Sequence, residues 1–429
     1  MKILVIGSGG REHAIAWALS RDPDTTRIYA APGNPGISEI GTCVPIPATS
    51  VEELAHFASK QQIDLTIVGP EASLGAGVAD AFQKRKLRIF GPDKRAAQIE
   101  TSKSFAKDLC THHDIPTPRW QSFTDTTAAK KALDQMGPPW VVKADGLAAG
   151  KGTTVTSDRH EAEAAVNREL AREPRKIVIE EFIDGWEASF TATVSDGRAH
   201  WIAPVFQDYK PIYDGDLGPN TGGMGVYSPV PKLTSQLVQK VKTKILDPAV
   251  HAMVKENCPF QGALYLNVIV KHGTEDPCLL EFNARFGDPE TQGIAPLVKK
   301  GLLAHINDVA EDSSKTTVPE CSSSASVVVV VASKGYPENP STGDKIMIRP
   351  VSQNNVVLFH AGTSRTSTGE LVTSGGRVLN VAATGSDVGS ARKAAYDAIQ
   401  HSISFPGMQY RHDIGSGEIR RRKLEKVHV

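Results

Sequence analysis

The chain has 429 residues, enough for about three domains with a sizeable core, and its 40% hydrophobic and 22% charged content is ordinary for a globular protein. Lys plus Arg (48) equals Asp plus Glu (48), so no overall field favours nucleic acid or an acidic membrane as a partner. Five scattered cysteines without a CxxC pair predict reduced thiols in a cytoplasmic protein, and no aliphatic run is long enough to span a membrane.

The first hundred residues alternate short apolar runs with helical patterns. Strands are predicted at 2–6, 27–31, 65–68 and 87–90, and helices at 13–20, 51–60 and 77–86. Strands and helices in alternation form a parallel sheet with helices on both faces. We therefore expect an N-terminal Rossmann-like α/β domain over 1–101.

A glycine turn at 7–10 follows the first predicted strand. Such a turn lets backbone N–H groups and a helix N-terminus face an anion, which makes Gly9, Gly10 and Arg11 candidate contacts for a substrate phosphate. A dinucleotide fingerprint would need glycine where Glu12 stands, and the next strand ends without the acid that holds an NAD ribose. A purely structural turn is the alternative.

The regular alternation of strands and helices ends at residue 101, and a compact α+β segment is expected after it. Helices are predicted at 102–113, 159–171 and within 235–257, and strands at 140–143, 153–156, 177–182, 263–270 and 278–283. The run 143–152 places small residues between Lys143 and Lys151, but its glycine spacing is not that of a Walker A loop. The run predicts a mobile flap over phosphates, with Lys143 as a fixed charge, or else a flexible hairpin with solvated lysines.

Two acidic segments follow the flap. Carboxylates at Glu180, Glu181 and Glu187 could accept hydrogen bonds from an adenine amino group and ribose hydroxyls, although an ordinary strand end gives the same pattern. The glycine-rich loop 207–225 is too long for a tight turn, so it is either a binding loop or disordered. Asp208 and Asp216 in this loop are candidates for holding an amine-bearing substrate.

The run 280–290, Leu-Glu-Phe-Asn-Ala-Arg-Phe-Gly-Asp-Pro-Glu, carries the most chemistry. Side chains two apart on a strand share a face, so Glu281 and Asn283 point the same way and Arg285 follows on that side. A carboxylate and an amide oxygen beside a cation suit Mg²⁺ or Mn²⁺ held against phosphate oxygens. A plain polar strand face is the alternative, and Asp288 and Glu290 either shape the following loop or contact substrate.

The last third of the chain predicts a small α+β domain. The Ser/Thr-rich stretch 311–326 is interpreted as a linker. Strands are predicted at 326–332, 356–361 and 376–383, and a helix at 389–401. The basic cluster 420–423 is interpreted as a solvated tail.

Together these features resemble the ATP-grasp superfamily, with a glycine flap between two strands, an adenine hinge strand and a late Glu-x-Asn metal strand. Within it the chain resembles the glycinamide ribonucleotide synthetase family, whose motifs are matched at 7–13, 68–71, 143–152, 218–229, 285–290, 359–363, 375–378 and 410–415. The resemblance implies domains at 1–101, 102–322 (with a mobile lid at about 119–188) and 323–429. It implies an ADP-forming ligase that joins glycine to 5-phosphoribosylamine through glycyl phosphate in purine biosynthesis.

The resemblance also assigns roles to positions in this chain. Glu281 and Asn283 become ligands of Mg²⁺ or Mn²⁺, and Arg285 and Lys143 become the catalytic cations. The implied ATP contacts are Lys103, Lys143, Gly150, Lys151, Gly152, Glu180, Glu181, Phe182, Ile183 and Glu187. Two departures from the family, a shortened segment at 172–176 and Trp186, bear on lid closure and nucleotide affinity.

The implied partners are the small molecules ATP, glycine and 5-phosphoribosylamine, bound by a monomer or weak dimer. Three other functions stay open. One is a different ATP-grasp carboxylase or carboxylate–amine ligase, the second is a dinucleotide-dependent oxidoreductase, and the third is a catalytically silent nucleotide-binding module.

Overall fold

A computed structural model describes residues 1–147 and 152–417 of the chain. The expected ATP contacts Gly150 and Lys151 and the basic cluster at 420–423 lie outside the described residues. Within the described ranges the strands form four sheets of four or five strands and four two-stranded ribbons. The predicted combination of an α/β N-terminal part with α+β parts behind it is confirmed.

The N-terminal sheet is entirely parallel, and its first strand lies in the middle. In spatial order its strands are Thr42–Cys43, Arg27–Pro32, Lys2–Gly7, Leu65–Val68 and Ile89–Phe90. Its helices are Gly10–Ser20, Val51–Gln61, Glu71–Gly75 and Val78–Lys84, with a 3₁₀ turn at Ile37–Glu39. The last strand starts later than predicted because the Leu87 N–H donates to the Phe82 carbonyl and so ends the preceding helix.

A four-stranded antiparallel sheet, the lid sheet, lies within the predicted lid. In spatial order its strands are Trp120–Phe123, Ile177–Glu181, Trp140–Ala144 and Thr153–Thr156. Its helices are Thr126–Met136 and Arg159–Leu170, which share a small apolar core with the sheet. The first helix escaped prediction, although Asp125 caps it by accepting from the Ala128 N–H. Lys143 and Thr153 pair across neighbouring strands, so the two flanks of the flap segment lie side by side.

The central sheet is antiparallel and has one apolar and one polar face. In spatial order its strands are Arg198–Ile202, Gly185–Ser195, Gly262–Lys271 and Pro277–Asn283. The surrounding helices are Gln98–Thr101, Lys103–His112, Ser235–Val241, Asp247–Lys255, Glu290–Ile294 and Leu302–Ala310, with a π turn at Lys242–Leu246 and a 3₁₀ turn at Ala295–Leu297. Successive side chains on a strand point to opposite faces, so Phe190 and Leu266 join the core while Glu187 and Asn267 point the other way. This polar face forms one wall of the cavity described below.

The C-terminal sheet takes two of its five strands from the middle of the chain. In spatial order its antiparallel strands are Gln207–Asp208, Gly225–Ser228, Ala325–Ala332, Arg377–Gly385 and Val356–His360. The helix Val388–Ser402 packs on this sheet. The four two-stranded ribbons of the described chain pair Pro211–Tyr213 with Leu217–Asn220 (around a 3₁₀ turn at Asp214–Asp216), Val298–Lys300 with Glu320–Cys321, Met347–Ile348 with Ile403–Ser404, and Thr363–Arg365 with Leu371–Thr373. The sheet therefore crosses the domain boundary predicted at 323.

The linker predicted at 311–326 is wrong for its second half. Glu320–Cys321 pairs with Val298–Lys300, and the buried Ser326 hydroxyl donates to the Gly293 carbonyl at 3.0 Å. Hydroxyl side chains find partners here, so a composition typical of loops occurs in a docked segment. Among the described residues, no helix is long and apolar enough to cross a membrane.

Candidate active site

A cavity of about 370 Å³ lies between the lid sheet and the polar face of the central sheet. The N-terminal domain contributes Arg11, Glu71 and Glu100 to its wall. The C-terminal sheet contributes Arg377. All three parts of the chain therefore meet at one cavity, which is where a ligand with several chemically different parts would bind.

One end of the cavity is apolar. Its walls are formed by Ala106, Cys110, Val141, Val155, Phe182, Ile183, Ile269 and Leu279. Burial raises the pKa of the Cys110 thiol to about 12, so the protonated thiol acts as apolar surface. Glu181 at the rim is engaged by Arg119, accepting from its backbone N–H at 2.9 Å and from its guanidinium at 2.6 Å. An apolar slot beside the end of a strand suits a flat heteroaromatic ring.

Glu180 lines the cavity and is the partner of two lysines. Its carboxylate is 1% exposed and lies 3.0 Å from Lys143 Nζ and 3.2 Å from Lys107 Nζ. Burial lowers the pKa of Lys107, and Glu180 partly offsets that effect. Lys143 Nζ also donates to the Leu280 carbonyl at 3.4 Å. The carboxylate therefore places two ammonium groups, which differs from its expected role as an acceptor for adenine.

The flanks of the flap rest on Lys103 and on the lid segment 172–176. Lys103 Nζ donates to the Gly146 carbonyl at 2.9 Å, and Gly152 on the other flank lines the cavity. Burial lowers the pKa of Lys103, while Glu281 opposes the shift. Pro174, within the segment 172–176, packs against the position of Gly146. The segment 172–176 thus supports the base of the flap.

The polar end of the cavity is built around Glu281. Asn267 lies opposite Glu281 in the sheet and donates to the Glu187 carboxylate at 3.1 Å. Lys210 Nζ lies 3.0 Å from the same Glu187 carboxylate. Burial opposes ionisation of Glu281, but Lys210 and three further cations outweigh it and hold its pKa below the ordinary range. Glu187, expected near a ribose, therefore belongs to the same ionic group as Glu281.

The oxygen atoms at this end fit a hard divalent cation that also binds phosphate. Glu281 and Asn283 leave the same face of their strand, and the buried Asn267 Oδ1 has no hydrogen-bond partner within the described ranges. No group of three or more His, Cys, Asp or Glu side chains suited to a metal occurs in the described part of the chain. One carboxylate and two amide oxygens need further oxygens from phosphate and water to complete the shell of Mg²⁺ or Mn²⁺.

Arg285 is held between two carboxylates. Its guanidinium lies 3.3 Å from Glu71 and 3.2 Å from Glu100, and Glu100 also accepts from the Ala284 N–H at 2.7 Å. Burial opposes ionisation of Glu71, but Arg285 and Arg11 lower its pKa to about 2. Burial raises the pKa of Glu100 to about 7, with Arg285 opposing the shift. Glu71 and Glu100 thus fix the orientation of the Arg285 guanidinium.

Asp208 presents a carboxyl group to the cavity. Its buried Oδ1 has no hydrogen-bond partner within the described residues. Burial and then the nearby Glu290 raise the pKa of Asp208 well above its ordinary range. Glu290 also lines the cavity and accepts from the Tyr265 hydroxyl at 3.0 Å. Two carboxyl groups that repel each other favour a cationic ligand between them.

Asp288 lies at the junction of the three parts of the chain. Its carboxylate lies 3.1 Å from the Arg377 guanidinium and accepts from Gln292 at 2.6 Å. Burial opposes ionisation of Asp288, but Arg377 and Arg11 outweigh it and lower its pKa. Gln292 Oε1 and Asn380 Oδ1 are buried without hydrogen-bond partners in the described ranges. Asp288 and Arg377 therefore bring charge to this corner of the cavity, whereas Gln292 and Asn380 do not line it.

The glycine turn beside this corner is filled by side chains. Glu12 accepts from the Gly9 N–H at 2.5 Å and from Arg11 Nε at 2.7 Å. A Cβ at Gly10 would lie 2.7 Å from Gln292 Nε2, so glycine is needed there for close packing. Of the three predicted phosphate contacts, Arg11 lines the cavity, whereas Gly9 and Gly10 lie behind its wall.

Asp216 is a correction to the candidate set. Its carboxylate lies 2.8 Å from Arg411 Nη1 on an exposed hairpin, and it is absent from the cavity wall formed by the described residues. Trp186, the other lid departure, packs against the main core with Lys232 Nζ 5.9 Å from its ring. The composition of a loop therefore does not predict which partners its carboxylates contact.

Several cavity residues escaped the sequence reasoning. They are Glu71, Glu100, Lys107, Lys210, Tyr265, Asn267 and Arg377. Asn267 carried a usable signal, because it is a lone amide in the apolar run 263–270. Arg377 lies in the family motif 375–378, but the motif indicated no place in the site, because a residue of the last domain reaches the cavity through tertiary contacts alone.

Sequence models of one enzyme family match the chain in three consecutive pieces. Residues 1–100 match the phosphoribosylglycinamide synthetase N domain. Residues 101–291 match the ATP-grasp (A) domain of the same family, and residues 326–417 match its C domain.

Full-length relatives and solved structures agree with these matches. Proteins named phosphoribosylamine–glycine ligase are 42% identical in Mesorhizobium japonicum (99% of this chain, 100% of the relative) and 43% identical in Lactococcus lactis (98% and 100%). The crystal structure of phosphoribosylamine–glycine ligase from Thermotoga maritima has a TM-score of 0.83 at 32% identity, covering 96% of this chain and 100% of that one. The biotin carboxylase domain of Hydrogenobacter thermophilus 2-oxoglutarate carboxylase has a TM-score of 0.72 at 14% identity, covering 95% and 91%, which is a likeness of fold.

Proposed function

The chain belongs to the phosphoribosylglycinamide synthetase family, and from this membership we propose how its cavity carries out the family's reaction. The enzyme is an ATP-grasp ligase that joins glycine to 5-phosphoribosylamine at the expense of ATP, in purine biosynthesis. An ATP-grasp ligase uses ATP together with a divalent metal. The observation that carries the proposal is the set of cations, Lys103, Lys143, Lys210 and Arg285, that surrounds Glu281 inside one cavity.

We place ATP with its adenine in the apolar end and its phosphates toward Lys103 and Lys143. The backbone beside Phe182 and Ile183 lies at the apolar end and can read the adenine edge. Glu180 supports this arrangement indirectly, because it fixes the Lys143 ammonium. Gly150, Lys151 and Gly152 remain predicted contacts of the flap with the phosphates.

We assign Glu281 and Asn283 as the residues that would hold Mg²⁺ or Mn²⁺, with Asn267 Oδ1 as a further oxygen. The unpartnered Asn267 oxygen supports this assignment because a buried acceptor without a partner is costly. A cation bound there neutralises part of the charge of the triphosphate.

The chemistry proceeds by two displacements. The glycine carboxylate oxygen attacks the γ-phosphorus and the bond to the β–γ bridging oxygen breaks, giving ADP and glycyl phosphate. Each like-charge pair at 4 Å costs about 4 kcal/mol at an effective dielectric near 20, so cations must offset the approach. Lys143 and Arg285 supply this compensation, and Glu71 and Glu100 keep Arg285 in place.

In the second displacement the amine of 5-phosphoribosylamine attacks the acyl carbon, loses a proton and expels phosphate, giving glycinamide ribonucleotide. We place the glycine ammonium between Asp208 and Glu290, because two repelling carboxyl groups favour a cation there. Asp288 and Arg11 are assigned to the phosphoribosylamine side of the cavity. Closing the flap would exclude water, which otherwise hydrolyses an acyl phosphate.

A single assay tests the proposed function. Purified protein should form ADP when glycine and freshly prepared phosphoribosylamine are both present, and bicarbonate should not replace glycine. Bicarbonate-dependent turnover would instead identify an ATP-grasp carboxylase. Absence of any turnover would leave a silent nucleotide-binding module. A dinucleotide-dependent oxidoreductase is disfavoured because Glu12 occupies the glycine turn, and tight NADH binding would contradict that argument.

We also propose a cytoplasmic location and a monomeric or weakly dimeric state. All five cysteine thiols are free, which suits a reducing compartment. Light scattering at increasing protein concentration tests the oligomeric state, and a stable tetramer would contradict it.

A further inference from the structure

The segment 410–415, Tyr-Arg-His-Asp-Ile-Gly, lies outside the cavity but contacts a hairpin that helps to form its wall. The hairpin consists of Pro211–Tyr213 and Leu217–Asn220. Lys210 and Thr221 flank it and both line the cavity. The Thr221 N–H and hydroxyl donate to the Lys210 carbonyl at 2.9 and 2.7 Å, so a shift of the hairpin displaces both side chains together.

Arg411 connects the two segments. Its side chain is fully buried, and Nη1 donates to the Pro211 carbonyl at 3.0 Å and to the Asp216 carboxylate at 2.8 Å. Nε and Nη2 donate to the two oxygens of Asp413 at 2.7 and 2.6 Å. The guanidinium also lies 4.7 Å from the centre of the Tyr209 ring. The arginine therefore binds the base of the hairpin and its tip at the same time.

The residues next to Arg411 hold the same hairpin tip. Asp413 accepts from the Gly215 N–H at 2.9 Å. The His412 N–H donates to the Asp214 carboxylate at 2.7 Å, and the His412 ring Nδ1 lies 3.1 Å from that carboxylate. The C-terminal domain thus fixes the hairpin through both its charges and its backbone.

The positions that the hairpin controls belong to the polar end of the cavity. Lys210 forms the ion pair with Glu187 and lowers the pKa of Glu281, while Asp208 precedes it by two residues. The adenine end is formed by other elements, including the helix Lys103–His112. A displaced hairpin should therefore disturb the glycine side of the cavity and leave the adenine side intact.

We propose that Arg411 is a positioning residue for glycine, acting through the hairpin on Lys210 and Thr221. The proposal rests on the proposed function, because it takes Asp208 and its neighbours as the glycine side. A guanidinium that is fully buried and bridges two segments holds them in one arrangement, because leaving that buried charge without its carboxylate partners is costly. The exposed Asp216 thereby acquires a role as the anchor of the hairpin.

The test compares Michaelis constants for glycine and ATP in Arg411→Met and Arg411→Lys. Arg411→Met should raise the KM for glycine about tenfold, the usual size of a lost charged hydrogen bond, and change the KM for ATP by less than about twofold. Arg411→Lys retains one charged donor and should recover part of the glycine affinity. Equal increases for the two substrates would overturn the proposal.

Arg392→Met is the matched control. Arg392 donates to the Ile414 and His412 carbonyls of the same segment and lies over the Tyr396 ring, so its loss loosens the segment without removing a bond to the hairpin. Its KM for glycine should stay at the wild-type value, and an increase equal to that of Arg411→Met would show a merely structural effect.

A second variant keeps the test valid if Arg411→Met does not fold. Asp216→Asn changes an exposed side chain and should raise the KM for glycine about threefold through the weakened anchor. An unchanged KM for glycine in this variant would overturn the proposal. Failure of the wild-type protein to turn over glycine at all would contradict the proposed function instead.

Discussion

Side chains in this cavity take their roles from partners that are distant in sequence. From its place at the end of an apolar strand, Glu180 is predicted to accept a hydrogen bond from adenine. In the fold its carboxylate forms ion pairs with Lys107 and Lys143. Arg285 follows the strand that carries Glu281 and Asn283, yet its direction is set by Glu71 and Glu100. A strand pattern gives the face from which a side chain leaves, whereas its partners come from other parts of the fold.

Asn283→Ala should lower kcat/KM by about a hundredfold or more, because an oxygen that holds the phosphate-bound cation is lost. The measurement is ADP formation during a titration with Mg²⁺ or Mn²⁺, and the midpoint of that titration should rise. Asn167→Ala makes the same chemical change on an exposed face of the lid helix Arg159–Leu170 and should leave activity unchanged. A near-normal metal dependence of the folded Asn283→Ala variant would contradict the assignment of Asn283 as a metal ligand.

The lid is a small α+β unit whose flap flanks depend on one backbone conformation. Gly146 has φ of +112°, a left-handed conformation that residues with a side chain rarely adopt. Its carbonyl accepts from Lys103, and a Cβ there would lie 3.3 Å from Pro174 Cδ. The backbone at Gly146 therefore links the flank of the flap to Lys103, which lines the cavity.

Gly146→Ala should raise the KM for ATP about fivefold, because the strained backbone displaces the carbonyl that holds Lys103. Gly137→Ala is the matched control in the same lid, since Gly137 has φ of +71° but open space around its Cβ position. Both variants should lose similar thermal stability, and steady-state kinetics with varied ATP separates them. Equal KM values for ATP in the two variants would refute the link through Lys103.

A buried polar interface joins the N- and C-terminal parts of the chain. His13, on the helix Gly10–Ser20, accepts from the His360 N–H at 2.9 Å, and Asn34 donates to the His360 carbonyl at 2.9 Å. Burial and the neighbouring His360 lower the pKa of His13 to about 3. The neutral ring is therefore part of the contact that brings Arg377 to the cavity.

Acid should weaken this interface. Between the folded pKa of His13, about 3, and its ordinary value of 6.5, the unfolded chain binds more protons than the folded one. The stability is thus fully present above pH 6.5 and decreases as the pH falls, by about 2 kcal/mol at pH 5 for this group. Urea unfolding at about pH 7.5 and about pH 5 measures the difference.

His13→Asn keeps an acceptor for the His360 N–H but removes the titrating ring. Its free energy of unfolding should depend less on pH than that of the wild-type chain, by about the 2 kcal/mol assigned to His13. His56→Asn, on an exposed helix face, should keep the wild-type dependence. Identical pH dependence in His13→Asn and the wild-type chain would contradict the role of the interface.

Local patterns in the sequence were sufficient for most elements, including the strand that carries Glu281 and Asn283. Period-two and helical spacing predicted the parallel N-terminal sheet and the strand that presents Glu281 and Asn283, because these periods reflect backbone geometry within a few residues. The motifs indicated the family, which the comparisons confirm. The helix Thr126–Met136 and the docked second half of 311–326 were not predicted, because their local sequence signals are weak and packing against other parts of the fold determines their structure.

The partners of charged side chains and the sheet to which each strand belongs could be determined only from the folded chain. Asp216 was assigned to substrate from loop composition, and the fold paired it with Arg411 from the other end of the sequence. Strands before residue 323 joined the C-terminal sheet, and Arg377 entered the cavity from that sheet. A residue's type and spacing restrict its possible chemistry, but the energy of a buried charge depends on neighbours that only long-range packing supplies.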